Sequence, residues 1–150
     1  MRCVIQRVIK ASVRIDSEAY SAIGRGLLLL LGIEDQDHDE DLEWLAGKVA
    51  QLRIFADDEQ LMNRSVQDID GELLVVSQFT LFASTKKGNR PGFTRAAQPA
   101  YADQKYQEFV KLLERLTGKP VQTGRFGADM QIELINDGPV TIVMDTKNRE

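Results

Sequence analysis

The run Leu27-Leu28-Leu29-Leu30-Leu31-Gly32-Ile33 constrains the fold more than any other stretch of the chain. It does not alternate between apolar and polar residues. A strand with one face in water alternates, because successive side chains point to opposite faces, whereas a strand covered on both faces need not. The run therefore predicts a strand buried on both faces. At 150 residues the chain fits one compact domain, and a domain of that size buries roughly two thirds of its unfolded surface. The apolar block Leu27–Leu31 is far shorter than the ~20 residues of a membrane-spanning helix.

Other elements fall into place around this strand. Val4 to Ile15 is rich in β-branched residues and predicts one or two strands. Tyr20 to Ile23 leads into a turn at Gly24-Arg25-Gly26. Asp37 and Glu40 have the spacing of a capping box, and Leu42, Leu45, Ala46, Val49 and Leu52 recur at helical spacing, so a helix is expected to about Leu52. Arg53-Ile54-Phe55 predicts a short strand before a turn at Asp57-Asp58-Glu59. Glu72 to Phe82 is the strongest strand, and residues 84 to 98 form a long loop holding Gly88, Pro91 and Gly92. Pro99 opens a second helix with the stripe Ala102, Tyr106, Phe109, Val110, Leu113 and Leu116, which Gly118 and Pro120 end. Val121–Phe126, Met130–Ile135 and Val140–Met144 read as three closing strands, separated by Gly127 and by Asn136–Pro139. Strands and two helices in this uneven order indicate an α+β fold with a largely antiparallel or mixed sheet.

Composition removes several classes of function. Hydrophobic residues at 43% and charged residues at 28% exclude disorder as the main state. The net charge of −4 argues against holding nucleic acid by bulk charge. The charge is unevenly spread, however: Glu34 to Glu43 is acidic, while Lys86, Lys87, Arg90 and Arg95 have no acid among them and could dock RNA locally. The one histidine, His38, lies in the acidic run and leaves no other for a Ser-His-Asp triad, and with the one cysteine, Cys3, it cannot build a multi-ligand zinc site. His38 reads as a solvated helix start and Cys3 as a buried structural thiol. The acids between Asp37 and Glu43 could hold magnesium, but a solvated helix N-terminus accounts for them better. The opening Met1 to Arg7 is broken by charge and lacks the apolar block of a signal peptide, so a cytoplasmic protein is expected.

Two polar segments interrupt apolar strands. Ser77-Gln78-Phe79-Thr80-Leu81 carries groups that demand hydrogen bonds if buried, and Asn136-Asp137-Gly138-Pro139-Val140-Thr141 reads as a turn. Each alone is compatible with an ordinary strand face or turn. Together they resemble the two signature motifs of the D-aminoacyl-tRNA deacylase family. Met1–Val8, Lys86–Phe93 and Gly124–Met130 are similar to that family as well, and the resemblance spans essentially the whole chain. Pattern and resemblance lead to a single α+β domain over residues 1–150, with a mixed, largely antiparallel, barrel-like sheet and two main helices.

The resemblance implies hydrolysis of the ester between tRNA and a D-amino acid, or glycine mischarged on tRNA(Ala), with L-aminoacyl-tRNA rejected. It implies a homodimer with no cofactor, no metal, and neither DNA nor membrane as partner. The Gly138–Pro139 bond would be cis, and the dipeptide would reach into the partner subunit's pocket. Backbone carbonyls there would hold the α-amino group, so that an L side chain is excluded sterically. Ser77, Gln78, Phe79, Thr80, Gly138 and Pro139 would form the catalytic set. Phe126 and Met130 would receive the terminal adenosine, and Lys86, Lys87 and Arg90 the acceptor-stem phosphates. Two mechanisms stay open: Thr80 as nucleophile, or a site that only positions the ester and stabilises the oxyanion, with backbone N–H groups around Phe79 and Thr80 as donors, while the ribose 2′-hydroxyl or a water acts. A non-catalytic RNA-binding module and an editing domain for L-amino acids are the competing readings.

Overall fold

The computed structural model describes residues 1–150. In chain order the elements are β1 (Arg2–Ile15), β2 (Glu18–Ile23), β3 (Gly26–Gly32), α1 (Asp39–Gln51), β4 (Phe55–Ala56), β5 (Met62–Arg64), β6 (Glu72–Ser77), a 3-10 turn (Phe79–Phe82), α2 (Pro99–Thr117), β7 (Gln122–Thr123) and β8 (Gln131–Asp145). β1 organises the sheet. Its first half pairs antiparallel with β3 and with the C-terminal half of β8; its second half pairs antiparallel with β2 and with the N-terminal half of β8. The sheet then continues from β3 to β6 and β7, both in parallel register. Its curl brings β2 back to β7, where Ser21 Oγ donates to the Thr123 carbonyl at 2.7 Å. The result is a mixed sheet nearly closed into a barrel, with β4 and β5 forming a separate hairpin.

The leucine run is buried on both faces, as its lack of alternation predicts. Leu27, Leu29 and Leu31 join the core between sheet and helices, which includes Leu45, Tyr106 and Phe109. Leu28 joins a second core inside the curl with Val8, Val13, Leu74 and Val76. β1 feeds both cores by changing face midway. Cys3 and Ile5 lie in the first core, and Val8, Ala11 and Val13 in the second. The switch is a bulge: Val8 faces Asn136 but Lys10 faces Ile135, so β1 spends one extra residue near Ile9.

α1 starts one residue beyond the expected box. His38 is the cap, and its backbone N–H donates to Asp41 at 2.9 Å. Asp37 is fully buried instead, binding the Met1 ammonium and accepting from the Glu34 N–H at 2.8 Å. Glu34 and Asp41 are buried too. The acidic run is thus partly structural, not simply a solvated helix start. α2 opens on Pro99 and ends on Gly118 at φ 67°, as predicted, and buries the expected stripe except Leu116, which is 42% exposed.

Four strand expectations need correction, the first being Val121–Phe126, where the strand is only Gln122–Thr123. The short strand near Arg53–Phe55 lies at Phe55–Ala56. The strongest strand stops at Ser77, not Phe82. Gly32 is the physical reason: a Cβ there would lie 3.0 Å from the Gln78 carbonyl oxygen and 3.1 Å from both Leu81 and Phe82. Without one, residues 78 to 82 fold onto the end of β3 in a turn. Last, the segments 130–135 and 140–144 belong to one strand, β8, because β1 pairs with both. Gln6 faces Thr141 and Val8 faces Asn136, so two steps along β1 are matched by five along β8 and the surplus bulges outward.

Candidate active site

The turn after β6 sets the centre of the site. The Gln78 N–H makes the last rung to the Leu31 carbonyl at 2.7 Å, after which the chain leaves the sheet. A helix always leaves its first N–H groups without intrahelical acceptors. In the 3-10 turn these are the N–H groups of Phe79 and Thr80, and neither finds an acceptor elsewhere in the chain. The Gln78 side-chain amide donates to Thr80 Oγ1 at 2.5 Å. No histidine, carboxylate or amine is bonded to that hydroxyl, so it has no base. Thr80 therefore lies on a turn, not on a strand face as its alternation with Gln78 implied.

A cleft of about 510 Å³ opens beside the turn. Ser77, Gln78 and Phe79 line one side; Phe126 and Met130, which follow β7, line the other. These expected residues, some fifty positions apart in the chain, do converge. Phe126 packs on the buried Tyr106 ring with centroids 6.1 Å apart, and so serves core and cleft at once. Tyr106 donates to the Val75 carbonyl at 2.7 Å, and burial pushes its hydroxyl pKa up, which keeps it a neutral structural donor. Gly124 lets Met130 into the wall, since a Cβ there would sit 2.6 Å from the Met130 sulfur. Cys3 does not line the cleft, and burial pushes its thiol up to about 12.

Residues 83 to 98 fold over the turn as a strap. Ser84 and Gly92 exchange two backbone hydrogen bonds, 2.8 and 2.9 Å, and pinch off an exposed tip that carries Lys86, Lys87 and Arg90. The basic residues are therefore gathered on one projection, but outside the cleft itself. Beyond the pinch, Phe93 meets Phe79 edge-on at 5.1 Å, and Ala96 and Ala97 line the cleft.

Gly138 and Pro139 sit on the bulge of β8. Their peptide bond is cis, both residues are exposed, and neither lines this chain's own cleft. Asn136 staples the base of the bulge, accepting from the Val140 N–H at 2.8 Å and donating to Thr141 Oγ1 at 3.2 Å. Arg7 grips it from β1: Nε donates to the Asp137 carbonyl at 2.9 Å and Nη1 to the Ile54 carbonyl at 2.6 Å. Arg7, Gly32 and Gly124 are site-shaping residues that sequence reasoning missed.

The chain belongs to the D-Tyr-tRNA(Tyr) deacylase family, whose model matches residues 4–145. Membership places it among the hydrolases. Proteins named D-aminoacyl-tRNA deacylase from Flavobacterium johnsoniae and Flavobacterium psychrophilum are each 59% identical over 150 residues, covering 100% of both chains. The protein of that name from Bacteroides thetaiotaomicron is 55% identical over the same span. Among solved structures, one described as c-Myc DNA Unwinding Element Binding Protein superposes with a TM-score of 0.90 at 41% identity, covering 97% of this chain and 98% of its own. Another, described as a probable eukaryotic D-amino acid tRNA deacylase, gives 0.82 at 19% identity over 95% and 97%, a likeness of fold.

Proposed function

We propose that this chain hydrolyses the ester of D-aminoacyl-tRNA, releasing free tRNA and the D-amino acid, and that it also accepts glycyl-tRNA(Ala) and rejects L-aminoacyl-tRNA. The observation that carries the reading is the convergence of two distant segments on one apolar cleft, beside a turn that leaves two N–H groups unpaired. The terminal adenosine lies in the cleft against Phe126 and Met130, where base contacts are worth about 1–3 kcal/mol each. Its ester carbonyl then reaches the N–H groups of Phe79 and Thr80, which stabilise the oxyanion. Ser77 and Gln78 shape the rim. Thr80 has only an amide as partner, so the attacking group is a water or is assisted by the ribose 2′-hydroxyl. Lys86, Lys87 and Arg90 meet the acceptor-stem phosphates.

Chirality is read by Gly138 and Pro139, which act from a second copy of the chain. Their exposure and their absence from the home cleft's lining support that arrangement. So does β8, which pairs only with β1 and exposes Val143 (69%) and Ile135 (45%). A two-fold interface places two equivalent sites in one dimer. The test is hydrolysis of D-, L- and glycyl-tRNA side by side, with sedimentation under the same conditions. Release of D-amino acid and glycine but not L-amino acid by a dimer is expected; an active monomer overturns the chirality arrangement. The 41%-identical structure described as a DNA unwinding element binding protein favours a second reading, a nucleic-acid-binding module without hydrolysis. Binding of D-aminoacyl-tRNA with no amino acid released would decide for it.

A further inference from the structure

We propose that Arg95 is a positioning residue that fixes the oxyanion-binding turn through the strap, acting on the site assigned above and resting on that reading. Two contacts are made by Arg95 itself and the rest by its neighbours on the strap. The Arg95 guanidinium donates to Glu34 Oε2 at 3.0 Å, and Glu34, two residues past β3, is only 7% exposed. The same guanidinium lies 5.4 Å from the centroid of Phe82, the last residue of the turn. Two residues earlier, Phe93 packs edge-on against Phe79, the first residue of the turn. Just after it, Ala96 bridges Glu34 and the Ala97 N–H donates to the Ile33 carbonyl at 2.9 Å. The strap thus touches the turn at both ends and is tied to the sheet at one place.

Phe82 makes this a clamp. It is 1% exposed, with Arg2 over its ring at 4.9 Å as well as Arg95 at 5.4 Å. Arg2 also donates to the Leu81 carbonyl at 3.0 Å and pairs with Asp145 at 2.8 Å. Arg2 holds the turn from the sheet and Arg95 holds it from the strap. The turn's two free N–H groups work only if aimed at the developing oxyanion, and a displacement on the order of 1 Å can cost about a hundredfold in rate. The Glu34 carboxylate is buried and Arg95 is the cation paired with it, so the pair anchors the strap where the charge would otherwise be left uncompensated.

The experiment compares Arg95→Met, Glu34→Gln and the double variant on full-length D-aminoacyl-tRNA and on a D-aminoacyl-adenosine ester, which has no phosphates to dock. Positioning predicts a kcat about tenfold or more lower on both substrates, with tRNA KM and its salt dependence unchanged. The double variant, which leaves no uncompensated buried charge, should be no worse than the poorer single variant, as for two residues that act as one unit. A raised KM and flatter salt slope on tRNA alone would make Arg95 a phosphate ligand and overturn the proposal. Unchanged kcat on both substrates, or a loss that merely tracks a lower melting temperature, would overturn it too. Ala128→Trp, which fills the cleft from the opposite wall, is the control. If it stays fully active, the assignment of the cleft itself fails; if it is inactive while Arg95→Met is not, only the role of Arg95 falls.

Discussion

At the scale of single residues, the site is defined more by what its groups lack than by what they carry. Thr80 looks like a nucleophile in the sequence, yet its hydroxyl meets only the Gln78 amide at 2.5 Å. An amide takes no proton at neutral pH, so the threonine is not activated. Thr80→Ala should therefore retain turnover within about tenfold of the parent, whereas a tRNA ending in 2′-deoxyadenosine should be cut far more slowly, the general-base contribution being about 10²–10⁴-fold. Single-turnover release of D-amino acid from both substrates checks this. An inactive Thr80→Ala, beside a 2′-deoxy substrate that is still cut at full speed, would assign the chemistry to the hydroxyl. The N–H groups of Phe79 and Thr80 were candidates for the oxyanion from the sequence, but the turn that frees them was not legible in advance. Alternation placed Gln78 and Thr80 on one face of a strand, and only the close approach permitted by Gly32 turns the chain there.

At the scale of elements, the sequence disclosed those whose signal is local. The ends of α2 follow from Pro99 and Gly118, and the burial of β3 from a run of leucines that cannot alternate. Elements defined by partners were harder to read. β8 reads as two strands because Gly138 and Pro139 interrupt it, but β1 pairs on both sides of the interruption and makes it one. The cap of α1 moved from Asp37 to His38 because Asp37 is needed to bind the Met1 ammonium in the interior, and no spacing rule contains that contact. The strap is the element on which RNA binding can be tested alone, since the pinch at Ser84 and Gly92 isolates its tip. Replacing Lys86, Lys87 and Arg90 with glutamine should weaken tRNA binding and lower its log–log salt slope by about 0.7–0.9 for each phosphate that is no longer neutralised. Cleavage of the phosphate-free D-aminoacyl-adenosine should be unchanged. Filter binding across a salt series gives the slope, and an unaltered slope would leave the tip as solvated loop.

At the scale of the whole molecule, the two chain ends are locked together by buried charge, and this sets the response to acid. Burial alone would raise the Asp41 carboxyl, but the Lys147 ammonium at 2.7 Å and the His38 N–H outweigh it and hold the pKa well below the usual carboxylate range. Asp145 is lowered in the same way: burial opposes, and Arg2 and the Lys147 N–H prevail. A carboxyl depressed in the folded state adds stability above its unfolded pKa, which disappears as pH falls below about 4. Asp37, raised chiefly by burial, works in the opposite sense and blunts the effect. Asp41→Asn should cost about 1–2 kcal/mol at pH 7, since Lys147 is partly in water, and should flatten the fall in stability on acidification. Urea unfolding at pH 7 and at pH 3 measures both; an acid limb as steep as the parent's would remove Asp41 from this role.

β1 meets β3 and β2 within the first 32 residues, but its remaining partner, β8, begins at Gln131. Contacts so far apart in the chain form slowly. On the ribosome, the central strand must emerge, pair on one edge, and keep its other edge open for nearly the whole of translation. An unpaired edge invites pairing with any other extended chain. Ribosome-bound chains halted before Gln131 would then be protected on the β3 side of β1 and open on the other, a stage at which a chaperone able to cover bare strand edges decides how much enzyme survives to fold.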